Sequence, residues 1–149
     1  MRHQQGRVGE LADLLAAQVE LQPGIPTWRS GVAMAAAEVG DHDTVLHQCD
    51  VLSPRSFEAF PEDYIWTGGM TGLGLAVAST GDARRAELVL DRLSGHAGMM
   101  SWLGSGSLGP VDRALGDLSL CVGQVERAER HHAAARELAV RWDAPGHVA

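Results

Sequence analysis

Three glycines, Gly40, Gly81 and Gly123, stand 41 and 42 residues apart, and each closes an Ala-rich run and opens an amphipathic one. The runs before them are Ala33 to Val39, Leu75 to Thr80 and Leu115 to Val122. Glycine stops a helix cheaply because it enters the left-handed region without a Cβ penalty. A stop repeated at a fixed spacing of this size predicts helix pairs, each of which buries its apolar face against its neighbour. The 149-residue chain is therefore expected to be all-α: about seven helices in one domain, arranged as stacked antiparallel pairs. Such a scaffold constrains how the chain is built more than what it binds.

The apolar periodicity assigns the parts. A leading helix over 6–22 carries Val8, Leu11, Leu15 and Val19 on one stripe and stops at Pro23-Gly24. Repeat one, 26–53, starts with Pro26 in a first turn and is expected to bury Trp28, Val32, Ala36 and Val39. Its second helix turns Val45, Cys49 and Leu52 inward behind the acids Asp41 and Asp43, which the helix dipole favours there. Phe57 and Phe60 lie in an irregular connection and are expected to pack beneath it. Repeat two, 62–94, pairs a stripe of Trp66, Met70, Leu73 and Val77 with one of Ala86, Val89, Leu90 and Leu93, the latter capped by Asp82. Gly68, Gly69, Gly72 and Gly74 interrupt its first helix at about 1 kcal/mol each against Ala, so a close helix-helix contact is expected on that face. After a loop over 95–109, repeat three, 110–143, aligns Val111, Leu115, Leu118 and Val122, then Val125, Ala128, His132, Ala135, Ala139 and Trp142, and stops at Pro145.

Charge and composition remove several function classes. The net charge is -7, and all twelve cations are dispersed arginines, which leaves no basic face for a phosphate backbone and argues against direct nucleic-acid binding. Lys and Asn are absent and Ile occurs only at 25 and 65, a bias expected of a GC-rich bacterial gene. Cys49 and Cys121 sit inside helical patterns without metal-ligand spacing, as small buried hydrophobes of a reducing cytoplasm do. Residues 1–5 lead into an amphipathic helix and not into a signal-peptide apolar core. The most apolar run, Ile65 to Ser79, is too short for a bilayer, so no membrane span is expected.

No set of residues reads as catalytic. Gly104-Ser105-Gly106-Ser107-Leu108-Gly109 matches G-x-G-x-x-G before a helix, but a dinucleotide site needs a strand on either side of it, and here the neighbours are helical. An anion at the N-terminus of the helix that follows Pro110 is a looser reading. His131 and His132 are adjacent and diverge by about 100 degrees on a helix, so one is expected to line the core and the other to face solvent. His42, His47 and Cys49 lack a fourth ligand at zinc spacing. The expectation is a protein that is not an enzyme and has no metal or cofactor.

Superposing the repeats aligns Ala33, Gly74 and Gly116 seven residues before the linker glycine, and Val45, Ala86 and Ala128 five after it. Leu73-Gly74, Leu115-Gly116, Ala86 and Ala128 resemble the Leu-Gly pair and the Ala of the tetratricopeptide repeat (TPR). The first copy departs, with Ala33 and Val45, and the period exceeds the usual 34. From about Gly6 onward, segments such as Asp63-Tyr64-Ile65-Trp66, Gly81-Asp82-Ala83-Arg84-Arg85-Ala86 and Ala128-Glu129-Arg130-His131-His132 resemble the C-terminal helical arm of bacterial multidomain regulators, in which an ATPase module is combined with a cyclase or a LuxR-type DNA-binding domain. The resemblance implies a TPR-like arm of a transcriptional regulator or signalling ATPase, working through a protein partner or self-association.

The alternative is a small-ligand sensor whose pocket is closed by the 95–109 loop. That loop carries Met99, Met100, Trp102 and Leu103, the residues expected to meet a partner or ligand. A pocket lined by the loop with convergent polar groups favours the sensor; a loop lying flat on the helices favours the arm. Leu138 and Trp142 on the final helix are the expected association surface, because further helices follow at this point in the regulators that the chain resembles.

Overall fold

The computed structural model describes residues 8–142, and these form eight α-helices and two short 3-10 turns. A 3-10 turn, Val8–Leu11, leads into α1 (Ala12–Leu21); α2 (Thr27–Glu38) and α3 (His42–Leu52) follow. A single turn, α4 (Pro54–Phe57), precedes α5 (Trp66–Thr80), α6 (Ala83–Leu93) and a 3-10 turn, Ser94–His96. The described chain ends with α7 (Val111–Cys121) and α8 (Val125–Arg141). Among the described residues there is no β-strand, and one isolated antiparallel bridge joins Met100 to Pro110. No described helix is long and apolar enough to cross a membrane. The expected helix start at Gly6 and the stop at Pro145 lie outside the described residues.

The three repeat glycines do the same job in the same way. Gly40, Gly81 and Gly123 have φ of 75°, 72° and 76°, so each ends its helix in the left-handed region that an L side chain enters only with strain. Asp41 and Asp82 then cap the helices they precede: their side-chain oxygens accept from Thr44 N at 3.1 Å and Arg85 N at 2.8 Å. Gln124, at the third site, makes no such bond.

Val39, Val125 and Trp142, expected on inward stripes, lie at helix ends and are 72%, 55% and 64% exposed, and two starts also differ from the periodicity. The leading stripe begins as a 3-10 turn and becomes α-helical only at Ala12. Repeat two was expected from residue 62, but α5 starts at Trp66, because the Asp63 carboxylate accepts from Ile65 N at 3.0 Å and holds a turn in place of the first helical turn. The connection before it contains a left-handed stretch at Arg55, Ser56 and Phe57, with φ of 49°, 57° and 64°. This seats Phe57 and Phe60 in the core, 1% and 2% exposed, as their apolar character predicts.

Helix α5 is the centre of the molecule, with ten of its fifteen residues buried. It packs on α2 and α3 on one side and on α6 and α7 on the other; α1 lies on α2, and α8 lies on α7. Its four glycines do not share the single helix-helix contact that the sequence suggested. A Cβ on Gly68 would strike the carbonyl of Trp102 and the Leu103 side chain; on Gly69 it would meet the Phe60 ring at 2.5 Å. On Gly72 it would meet Met34 Sδ at 2.6 Å, and on Gly74 it would touch Leu118 at 3.2 Å. Gly69, Gly72 and Gly74 face helices, with Thr27 and Met34 of α2 and Leu118 of α7 as the neighbours. Gly68 makes room for the loop, and Gly69 also for the buried Phe60 ring.

Trp66 fixes that end. It is buried, edge-on to Phe60 with centroids 6.4 Å apart, and against the His96 ring at 4.5 Å, with the Arg92 guanidinium 5.2 Å over its face. Arg92 in turn pairs with Glu62 at 2.5 Å. Farther along, Arg85 of α6 reaches α3 with two bonds to Asp50, at 2.8 and 2.7 Å, and one to its own cap Asp82 at 2.8 Å. The bonds from Arg85 hold the Asp50 carboxyl below its ordinary range; for Asp82 the Arg85 backbone N–H is the foremost cause.

Candidate functional site

The segment between the Ser94–His96 turn and α7 contains no helix or strand, but hydrogen bonds along its length fix its path. At its root, Gly98 N donates to Asp112 Oδ2 at 2.5 Å and Val111 N to Met99 O at 2.9 Å. In its middle, Ser101 N donates to Gly109 O at 2.9 Å, Leu108 N to Ser101 Oγ at 3.0 Å and Leu103 N to Gly106 O at 2.8 Å. It then docks on the first turn of α5: Trp102 N donates to Thr67 Oγ1 at 3.2 Å, and Trp102 O accepts from Gly68 N at 3.0 Å. Gly68 N belongs to the first turn of a helix, where donors lack an intrahelical acceptor, and a carbonyl of the loop satisfies it.

Beneath this loop is a cavity of about 530 Å³, within the range of roughly 300–1,000 Å³ that small-molecule sites occupy. The loop contributes Leu103, Ser105 and Leu108; α1 and the turn before it contribute Leu15 and Leu11. From α2 come Thr27, Trp28, Ser30, Gly31 and Met34, and from the start of α5 come Gly68 and Gly69, with Tyr64 and Ile65 before them. The walls are mostly apolar, with hydroxyl-bearing residues at Thr27, Ser30, Tyr64 and Ser105. Another hollow of about 520 Å³, over Gly123–Arg130, is bounded by one turn and the start of α8 alone.

The residues expected to form a partner or ligand loop divide in two. Met99 and Trp102 face outward, 46% and 47% exposed. Met100 is half-buried on the bridge to Pro110, and half-buried Leu103 lines the cavity. Of the expected association surface, Leu138 is unavailable: α8 lies on α7, and Leu138 is 5% exposed alongside buried Ala128, Ala135 and Ala139. Trp142 is 64% exposed.

The glycine-rich stretch is not disposed to hold a phosphate. Its N–H groups at Leu108 and Gly109 are spent on Ser101 and Ser107 hydroxyls. The first turn of α7 carries its own buried carboxylate, Asp112, in the place an anion would take. That carboxylate also corrects the reading of the two histidines, neither of which is free in solvent. His131 Nδ1 lies 2.7 Å from Asp112 Oδ1, and His132 Nε2 lies 2.9 Å from Asp117 Oδ1. Both pin α8 to α7, and Asp112 links His131 to the root of the loop. The signal was present as Asp112 and Asp117 on the facing helix, but no pattern within α8 identifies them as partners.

Among the described residues no group of three His, Cys, Asp or Glu side chains could hold a metal. Burial, followed by the Asp50 charge, pushes the Cys49 thiol up to about 11; Cys121 is raised mainly by burial, and its Sγ lies 3.2 Å from Ala78 O. Neither is disposed toward thiolate chemistry. Comparison of the chain with protein-family models, with curated proteins and with solved structures returned no significant match.

Proposed function

We propose that the chain is a non-catalytic sensor module that binds a small molecule in the cavity under the 95–109 loop. One observation carries this reading: the loop closes over an apolar cavity to which it contributes Leu103, Ser105 and Leu108, and hydroxyls enter the lining from two sides, at Thr27 and Ser30 and at Ser105. A loop lying flat on the helices would leave no such space. In this proposal the helix pairs form a TPR-like right-handed solenoid, supported by the left-handed φ that the three repeat glycines share and the succession of α2, α5 and α7 packed side by side. The module works in the cytoplasm as the arm of a bacterial transcriptional regulator or signalling ATPase, and ligand binding alters how the loop and its outward Met99 and Trp102 meet the rest of that machine.

The test is enrichment. The protein is incubated with a small-molecule extract of the cell that makes it, re-isolated, and analysed by native mass spectrometry beside Ser105→Trp, which fills the mouth of the cavity. A compound retained one-to-one by the parent and lost from the variant is the expected result; no difference between the two contradicts the sensor reading.

The second reading, an arm that engages a protein, is favoured by the exposed apolar residues of the last helix and its end, Val125, Val140 and Trp142, 55%, 65% and 64% exposed. Isolated surface apolar residues are ordinary, so this reading ranks below the cavity.

A further inference from the structure

Resting on the sensor reading, we infer that the cavity takes a neutral, largely apolar molecule with one hydrogen-bonding group, and that Ser30 receives that group. None of the residues that line the cavity is charged. An ion entering it would shed water and meet no opposite charge, which penalises charged molecules of any shape. The walls offer Leu11, Leu15, Met34, Leu103 and Leu108 for an apolar body. Trp28 adds an aromatic flank, its indole N–H turned to Gln22 Oε1 at 3.5 Å.

Ser30 is the polar point. It is 2% exposed, it lines the cavity, and its hydroxyl has no hydrogen-bond partner. Buried hydroxyls on helices ordinarily bond back to a carbonyl one turn earlier. Buried Ser119 does so here, to Leu115, as do the less buried Ser79, Thr80 and Ser94, to Ala76, Val77 and Leu90. Thr71, the other buried hydroxyl without a partner, is not part of the cavity lining. An unpaired buried hydroxyl is costly, and a ligand carbonyl, ether, hydroxyl or amine would satisfy this one. Thr27 lies one helical turn before it on the same wall, so two hydroxyls of the lining run along α2, while the loop supplies Leu103 and Leu108 as apolar cover with the exposed Ser105 beside them.

Two dyes of one skeleton separate the terms. N-phenyl-1-naphthylamine is neutral with a single N–H; 8-anilinonaphthalene-1-sulfonate adds a sulfonate to the same rings. Emission titrations of the full chain are expected to give saturable one-to-one binding of the neutral dye, at least about tenfold tighter than the sulfonate. Ser30→Ala is expected to weaken the neutral dye by roughly threefold to tenfold. Ser105→Trp is expected to abolish binding, and Leu103→Trp, which fills the cavity from a second loop position, repeats the block should the first variant fold poorly.

Equal affinity for both dyes, both blocked by the tryptophan variants, would overturn the neutral-ligand inference while leaving the site in place. An unchanged affinity in Ser30→Ala would overturn the role of its hydroxyl alone. Binding of the neutral dye that neither tryptophan variant reduces would remove the site itself, and the sensor reading with it.

Discussion

A methyl group added at Gly116 and one added at Gly24 have opposite expected fates. At Gly116 the new Cβ would sit inside the His132 ring, and moving that ring breaks its 2.9 Å pair with Asp117. Gly116→Ala should destabilise by about 1 to 3 kcal/mol. Gly24 has open space around it and no positive φ, so Gly24→Ala should stabilise by roughly 0.4 to 1 kcal/mol by restricting the unfolded chain. Urea midpoints measure both, and equal shifts would show that α7 and α8 do not approach as described. Ser56 is the converse case: an exposed L residue at φ 57°, where Ser56→Gly should relieve strain and raise stability by about 0.5 to 1 kcal/mol.

Asp50 carries a pH dependence whose sign follows from its lowered pKa. A carboxylate lowered by Arg85 adds stability that is present above its unfolded value, about 3.9, and is lost as the pH falls through the folded value. Asp50 is half-exposed, so solvent screening limits the pair to about 1 kcal/mol or less. Asp50→Asn should therefore be less stable than the parent at neutral pH, and the two should converge as the pH falls below the unfolded value and through the lowered folded one. A gap that persists in acid would assign the loss to packing.

At the scale of elements, most helices were legible and the loop's path was not. The stripes at Val45, Cys49 and Leu52 and at Ala86, Val89, Leu90 and Leu93 place their residues in the core because burial on a helix leaves a 3.6-residue trace. The loop is held by backbone groups of Trp102 and Gly68, by the Ser101 and Ser107 hydroxyls and by Asp112, none of which leaves a period. The four glycines of α5 marked a close approach correctly in kind, but at Gly68 the approaching element is a loop. Gly68→Ala must lift that loop, because its Cβ would meet the Trp102 carbonyl, a backbone group that cannot rotate away. Faster hydrogen exchange at Leu103 and Leu108 and weaker dye binding are expected, with α8 unchanged; an intact, protected loop in this variant would contradict the docking.

For the whole molecule, the sequence pointed to the 95–109 loop as one side of a candidate pocket and concealed the walls that face it. The cavity is assembled from stretches as distant as Leu11 and Leu108, and no single stretch facing the loop looks like a site. Ser30 reads from sequence as an ordinary helical serine, and only its missing partner in three dimensions sets it apart. The expected self-association also belongs to this scale. With Leu138 buried, it rests on Trp142 and its exposed neighbour Val140. Light scattering over a hundredfold dilution should show a mass that falls with concentration and becomes monomeric in Trp142→Glu; a mass indifferent to both would reject it.

The central claim is that the loop closes a binding cavity against α1, α2 and the start of α5, and nuclear Overhauser contacts from bound N-phenyl-1-naphthylamine to assigned methyl groups test it most directly. The account predicts contacts to Leu11, Leu15, Met34, Leu103 and Leu108, which line that space. Contacts confined to Val125 and Val140 on α8, or to Leu75 and Leu120 elsewhere on the surface, would contradict it.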